Sequence, residues 1–226
     1  MIVYAYVMSH DTGFAPCYDN GVFTLACCKP RIRKSVFGKL NDSGELKDDV
    51  WVIGAKHDGK PKSGIYKSHV VYIARITKVL RFEDYYTEDN FYRSDCVYQK
   101  LKTEECKKAI NRKDDLENMK KDKTRIKSSE NPHYCKTDEF RKDISGLCVL
   151  YSDDFYYFGG GEESRNQIFI DVFERCKKQR PGDFFYADID EQKLCETLKQ
   201  FEKHGLKNQN NIEPLDKEKT CKKCSC

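Results

Sequence analysis

The chain has 226 residues, 38% of them hydrophobic and 12% aromatic, enough for a packed core in one large domain or two small ones. Charged residues make up 35% and the mean hydropathy is −0.79, so much of the charge must lie on solvated surface or in stretches that bury little. The net charge of +4 falls wholly between Lys100 and Asp143, where 14 Lys/Arg meet 10 Asp/Glu; the remainder is neutral, which excludes a core with a broad cationic bias.

Residues 2–8 alternate β-branched and aromatic side chains and read as a strand, too short and too rich in tyrosine for a signal peptide. Gly13, Pro16 and Gly21 punctuate the loop that follows, and residues 22–28 form a second apolar run of strand type. A short helix is expected after Pro30 and a turn at residues 41–44. Residues 50–55 and 69–80 read as two strands joined by a polar loop containing His57, Gly59, Pro61 and Gly64. From Phe82 the pattern turns aromatic and acidic, and residues 93–143 read as a charged insertion, helical in part around 104–123. A buried strand returns at 146–151, and the run Phe155-Tyr156-Tyr157-Phe158 ends in three glycines. Residues 168–173 and 191–204 have helical spacing, with Gly205 placed to stop the second helix, and a frayed tail follows Leu206.

These elements predict an α+β core domain of residues 1–92 and 144–206, the insertion at 93–143 and a flexible Cys/Lys-rich tail at 207–226. No apolar run approaches 18 residues, so no membrane-spanning helix is expected. With no export signal the expected compartment is the cytoplasm, where the 12 cysteines stay predominantly as thiols.

Two motifs carry chemistry. Ser9-His10-Asp11-Thr12-Gly13-Phe14 sets an imidazole, a carboxylate and a hydroxyl directly after a strand, where loops bind or catalyse; its structural alternative is a turn capped by Asp11 and Thr12. Cys27-Cys28-Lys29-Pro30-Arg31-Ile32-Arg33 places two thiols beside three cations, which favours a thiolate nucleophile or a phosphate site; otherwise the cysteines are core filler. Trp51, Phe14, Tyr156 and Tyr157 are candidate walls for a base, with His10, Asp11 and Thr12 reading its edge and Lys29, Arg31 and Arg33 holding phosphate; the aromatic groups are equally readable as core packing. The terminal Cys221-Lys222-Lys223-Cys224 lacks a matched second pair at finger spacing, so no metal site and no cofactor is assigned.

Together with Asp48-Asp49-Val50-Trp51, with Tyr72-Ile73-Ala74-Arg75-Ile76-Thr77-Lys78-Val79-Leu80 and with Leu150-Tyr151-Ser152-Asp153-Asp154-Phe155-Tyr156-Tyr157-Phe158-Gly159, these runs resemble the second of the nucleotide modification associated domains. The resemblance covers residues 1–86 and about 144–160, and leaves the lysine-rich insertion and the cysteine-rich tail unmatched. More distantly, the chain is similar to the barrels of pseudouridine synthase and archaeosine transglycosylase modules, which implies a PUA-like mixed β-barrel core with flanking helices. The resemblance implies binding of a modified nucleotide or nucleobase, free or within nucleic acid. The alternative is an enzyme acting on such a substrate, with His10 and Asp11 as acid and base or Cys27 or Cys28 as nucleophile. The expected partners are a nucleotide or nucleic acid, and a protein through the charged insertion, with no membrane.

Overall fold

The computed structural model describes residues 1–8, 11, 13, 15–57, 68–85, 90, 93, 95, 142–180 and 183–209. Strand β1 (Ile2–Met8) is followed by β2 (Cys17–Asp19), β3 (Val22–Leu25), helix α1 (Pro30–Phe37), β4 (Val50–His57), β5 (Ser68–Arg75) and β6 (Lys78–Leu80). Then come the short helix α2 (Phe82–Tyr85), β7 (Val149–Ser152), β8 (Asp154–Tyr157), α3 (Ile170–Cys176), β9 (Phe184–Tyr186) and α4 (Glu191–Lys203). They form a five-stranded sheet in the order β8-β5-β4-β1-β9 and a four-stranded sheet in the order β2-β3-β7-β6. β1 and β4 run parallel; every other pair is antiparallel.

β1 sits inside the larger sheet and is apolar on both sides, as a doubly covered strand must be. Val3, Ala5 and Val7 face one core with Val172, Leu194, Leu198 and Phe201 of α3 and α4. Tyr4, Tyr6 and Met8 face a second core, shared with Phe23, Leu25 and Leu150 of the smaller sheet and Ile32 and Val36 of α1. The architecture is therefore three layers: helices, the mixed sheet, then the antiparallel sheet with α1. In α4 the Asp190 side chain caps the first turn by accepting the Lys193 N–H at 2.8 Å, and Leu194, Leu198 and Phe201 supply the buried stripe.

The α+β expectation holds, but among the described residues the strands make two sheets and no closed barrel. The physical reason lies at two corners. The run read as one strand over 69–80 breaks at Ile76, whose N–H bonds Val50 in the larger sheet at 2.8 Å, while the next N–H, of Thr77, bonds Tyr151 in the smaller sheet at 3.0 Å. The chain crosses back between β7 and β8, where the Ser152 hydroxyl accepts the Asp154 N–H at 3.0 Å and donates to the Asp154 carbonyl at 2.9 Å.

Both ends of the expected insertion are anchored in the core. Arg93 and Asp95 are buried, as is Asp143. The Asp95 carboxylate accepts from Thr24 Oγ1 at 2.9 Å, from the Ala26 N–H at 3.1 Å and from the Tyr85 hydroxyl. Arg93 donates to the Thr24 hydroxyl at 2.9 Å and to the Val22, Asp19 and Cys17 carbonyls. The partly helical stretch expected at 104–123 lies outside the described residues, as does the tail from residue 210. Where the tail begins, Asn208 pairs with β8, donating its N–H to the Phe155 carbonyl and accepting the Phe155 N–H on its side-chain oxygen, both at 2.9 Å.

Candidate functional site

The register of the larger sheet lines up Tyr6, Gly54, Tyr72 and Tyr157 in one cross-strand row. Tyr6, Tyr72 and Tyr157 all face the smaller sheet. Val71 and Tyr72 lie on this same side, because the pairing shifts by one residue between Gly54 and Ala55: Tyr72 keeps the alternation of Ile73 and Ala74, and Val71 is the extra residue. Gly54 makes the row possible: a Cβ there would lie 2.2 Å from Tyr72 Cε1 and 2.6 Å from Met8 Sδ. The Tyr72 ring therefore lies across the glycine and its hydroxyl meets that of Tyr6 at 2.7 Å.

Asp11, 1% exposed, closes this row from the loop after β1, with its Oδ2 accepting the Tyr157 hydroxyl at 2.6 Å. Tyr18 of β2 packs over the row from the opposite sheet, its ring centroid 4.9 Å from that of Tyr157 and 5.7 Å from that of Tyr72. Although Tyr18 is only 5% exposed, its hydroxyl has no hydrogen-bond partner among the described residues. Burial raises the Tyr18, Tyr72 and Tyr6 phenols far above their usual range; negative charge on Asp11 pushes all three the same way, while the Tyr6–Tyr72 bond raises Tyr72 and lowers Tyr6. At neutral pH the row presents hydroxyls, not phenolates. Beyond it, Met8, Lys56 and His69 form the next row at the same end of the sheet.

Lys29 lies against Tyr6 of this row, with Nζ 4.6 Å from the centre of the Tyr6 ring and 3.4 Å from the Val7 carbonyl. Loss of water lowers its ammonium below the usual lysine range, and the charge of Lys142 acts the same way. Arg31 is 72% exposed, pairs with Asp183 at 3.3 Å and lies over the Phe184 ring, next to Tyr6 in the sheet.

Among the described candidates the structure joins Asp11 to Tyr157 and sets Lys29 over Tyr6 of the same row, with Arg31 on the nearby surface, and it separates Trp51, Tyr156 and Arg33 from them. Trp51 and Tyr156 belong to the core under the helices, on the opposite face of the sheet from Asp11. Trp51 also sits toward the far end, where its indole N–H donates to Asp49 at 3.0 Å and Asp49 binds Arg75 at 2.6 Å. Beside that pair is a surface groove of about 870 Å³ between residues 44–49 and 75–80, remote from Asp11. Arg33 is fully buried and its donors are taken up by the Cys28, Cys148 and Asp143 carbonyls at 2.6–2.9 Å, so its guanidinium does not face solvent phosphate. Cys27 is buried and its thiol donates to the Asp95 carbonyl at 3.2 Å. Cys28 reaches the surface, yet desolvation of its thiol, reinforced by Asp143, pushes it up to about 11, the opposite of an activated nucleophile. His10, Thr12 and Phe14 lie outside the described residues.

Tyr6, Tyr18, Tyr72 and Gly54 are absent from the candidate site residues read in the sequence. The available signal is Gly54, a glycine inside a strand run, which marks a close approach of another group.

Fold and site together define an α+β protein whose inter-sheet space is lined at one end by hydroxyls and a carboxylate and not by hydrocarbon alone. The chain belongs to the family described as nucleotide modification associated domain 2, which matches residues 1–218 and so runs through the charged segment as well as the core. No curated protein and no solved structure matches it. The family links the chain to nucleotide modification, and no helix among the described residues is long and apolar enough to cross a membrane.

Proposed function

We propose that the protein binds a modified nucleotide or nucleobase, free or within nucleic acid, in the space between Asp11, Tyr157 and Tyr18. The observation that carries this reading is the buried, partnerless Tyr18 hydroxyl among Asp11, Tyr6, Tyr72 and Tyr157. Leaving a buried hydroxyl unsatisfied costs about 1–3 kcal/mol, and a base supplies both the hydrogen-bonding edge that the phenol lacks and a flat face for the surrounding rings. Lys29 and Arg31 are the cations for a phosphate; Arg33 is not needed for that role.

The test is equilibrium binding of modified and unmodified nucleosides, nucleotides and oligonucleotides to the parent and to Tyr18→Phe. Tyr18→Phe is expected to bind about ten-fold more weakly while melting at the same temperature or higher, since it removes an unsatisfied group. Equal binding by both proteins would sink the reading. The alternative, an enzyme using His10 and Asp11 as acid and base, predicts product in the same incubations; a binder gives saturable binding with no turnover.

A further inference from the structure

We propose that Arg33, Asp143 and Gly146 are positioning residues that hold the strained Cys28–Lys29 turn so that Lys29 presents its ammonium over Tyr6 to an anionic group of the ligand. Cys28 and Lys29 are consecutive non-glycine residues in the left-handed region, with φ of 60° and 42°. Each such residue is strained and persists only where its surroundings enforce it. Here they do. Asp143 Oδ1 accepts the Cys28 N–H at 2.6 Å, and Arg33 Nε donates to the Cys28 carbonyl at 2.9 Å, so both sides of the first strained residue are gripped. Arg33 in turn is fixed by the Asp143 and Cys148 carbonyls at 2.6 and 2.7 Å, and by the lack of a side chain at Gly146, where a Cβ would stand 2.5 Å from the guanidinium carbon.

The turn's output is Lys29. It is the residue before α1, contributes no side-chain cap to the helix, and instead extends to the Val7 carbonyl and the Tyr6 face. The strained pair thus ends in a side chain that does not cap the helix but lies against the Val7 carbonyl and the Tyr6 ring. The inference rests on the binding site proposed above, but the positioning can be read without any ligand.

In the full chain, reductive methylation with ¹³C-formaldehyde labels lysine amines, and the Lys29 resonance, assigned with Lys29→Arg, carries a ring-current shift from Tyr6 that Tyr6→Leu removes. Arg33→Lys, which cannot make the three-carbonyl fork, and Gly146→Ala, which displaces the guanidinium, are each expected to lose that shift while the dispersed spectrum of the fold remains. An unchanged Lys29 shift in both folded variants overturns the positioning role. If both variants unfold, Lys29→Gly decides: relief of the left-handed strain should raise its melting temperature, and an unchanged or lower one overturns the proposal.

Nucleoside 5′-monophosphates and the matching nucleosides then separate this inference from the reading beneath it. The parent should bind the monophosphate about ten-fold or more tightly than the nucleoside, and Lys29→Gly should lose that difference while keeping the nucleoside. A difference that survives in Lys29→Gly defeats the inference alone; a parent that binds neither compound defeats the site.

Discussion

A side chain that is missing shapes the site as much as those present. Because a methyl at position 54 would overlap Tyr72 and Met8, Gly54→Ala is expected to lower stability by about 1–3 kcal/mol in urea unfolding and to break the Tyr6–Tyr72 contact. Gly54→Ala with unchanged stability would mean that the Tyr72 ring can move aside freely. Tyr6→Phe removes one half of the same hydroxyl pair without steric change and should cost about 0.5–1.5 kcal/mol. Sequence reasoning finds Asp11 and Lys29 because their residue types advertise charge. It passes over Tyr6, Tyr18 and Tyr72 because, in an alternating strand, a phenol counts only as a large apolar body; that the hydroxyls of Tyr6, Tyr72 and Tyr157 gather at one end depends on cross-strand register, which no local pattern encodes.

At the scale of elements, the sequence places most of the pieces, because β1, α1, β4, β5 and α4 follow hydrophobic period and capping closely. What it misses are the three-residue strands β2 and β9, too short to show a period, and the sheet-switching corners at Ile76 and Ser152, which are set by long-range pairing. Charge density places the borders of the expected insertion at residues 93 and 143, and both of these residues are buried. Arg93 and Asp95 tie α2 to β2 and β3, and Asp143 holds the turn before α1. Deleting residues 93–143 should therefore abolish cooperative unfolding, whereas a deletion confined to 97–140, bridged by a short Gly/Ser linker, should retain it. Asp95→Ala alone should cost about 3–5 kcal/mol, because it removes the acceptor of the Thr24 hydroxyl, the Ala26 N–H and the Tyr85 hydroxyl together with the negative charge that faces Arg93. If the wider deletion melts as sharply as the parent, the anchoring role of Arg93, Asp95 and Asp143 is wrong.

For the whole molecule, the choice of two sheets under a helix layer instead of a barrel places many phenols and thiols in the interior, and that ties stability to alkaline pH. Tyr6, Tyr18, Tyr72 and Tyr85 are at most 5% exposed, and burial raises each far above the usual phenol value of 10.0. Burial also moves Cys148 and Cys176 up to about 12 from 9.0. In every one of these groups the folded state keeps the proton that the unfolded chain gives up. Their contribution is complete below the unfolded values and is lost as pH rises through them, first for the thiols above 9.0 and then for the phenols above 10.0. Lys29, shifted the other way, gains as pH rises, but it is one group against six. One pH unit above its unfolded value each buried phenol forfeits about 1.4 kcal/mol, so four together approach the 5–15 kcal/mol that holds a typical domain folded. The protein is expected to be most stable below pH 9 and to unfold cooperatively near pH 11. The phenolate absorbance of the buried tyrosines should appear together with loss of the circular dichroism signal. Phenolate formation by all 14 tyrosines near pH 10 in a chain that remains folded would show that the tyrosine row is open to solvent, and the enclosed site between the sheets would fall with it.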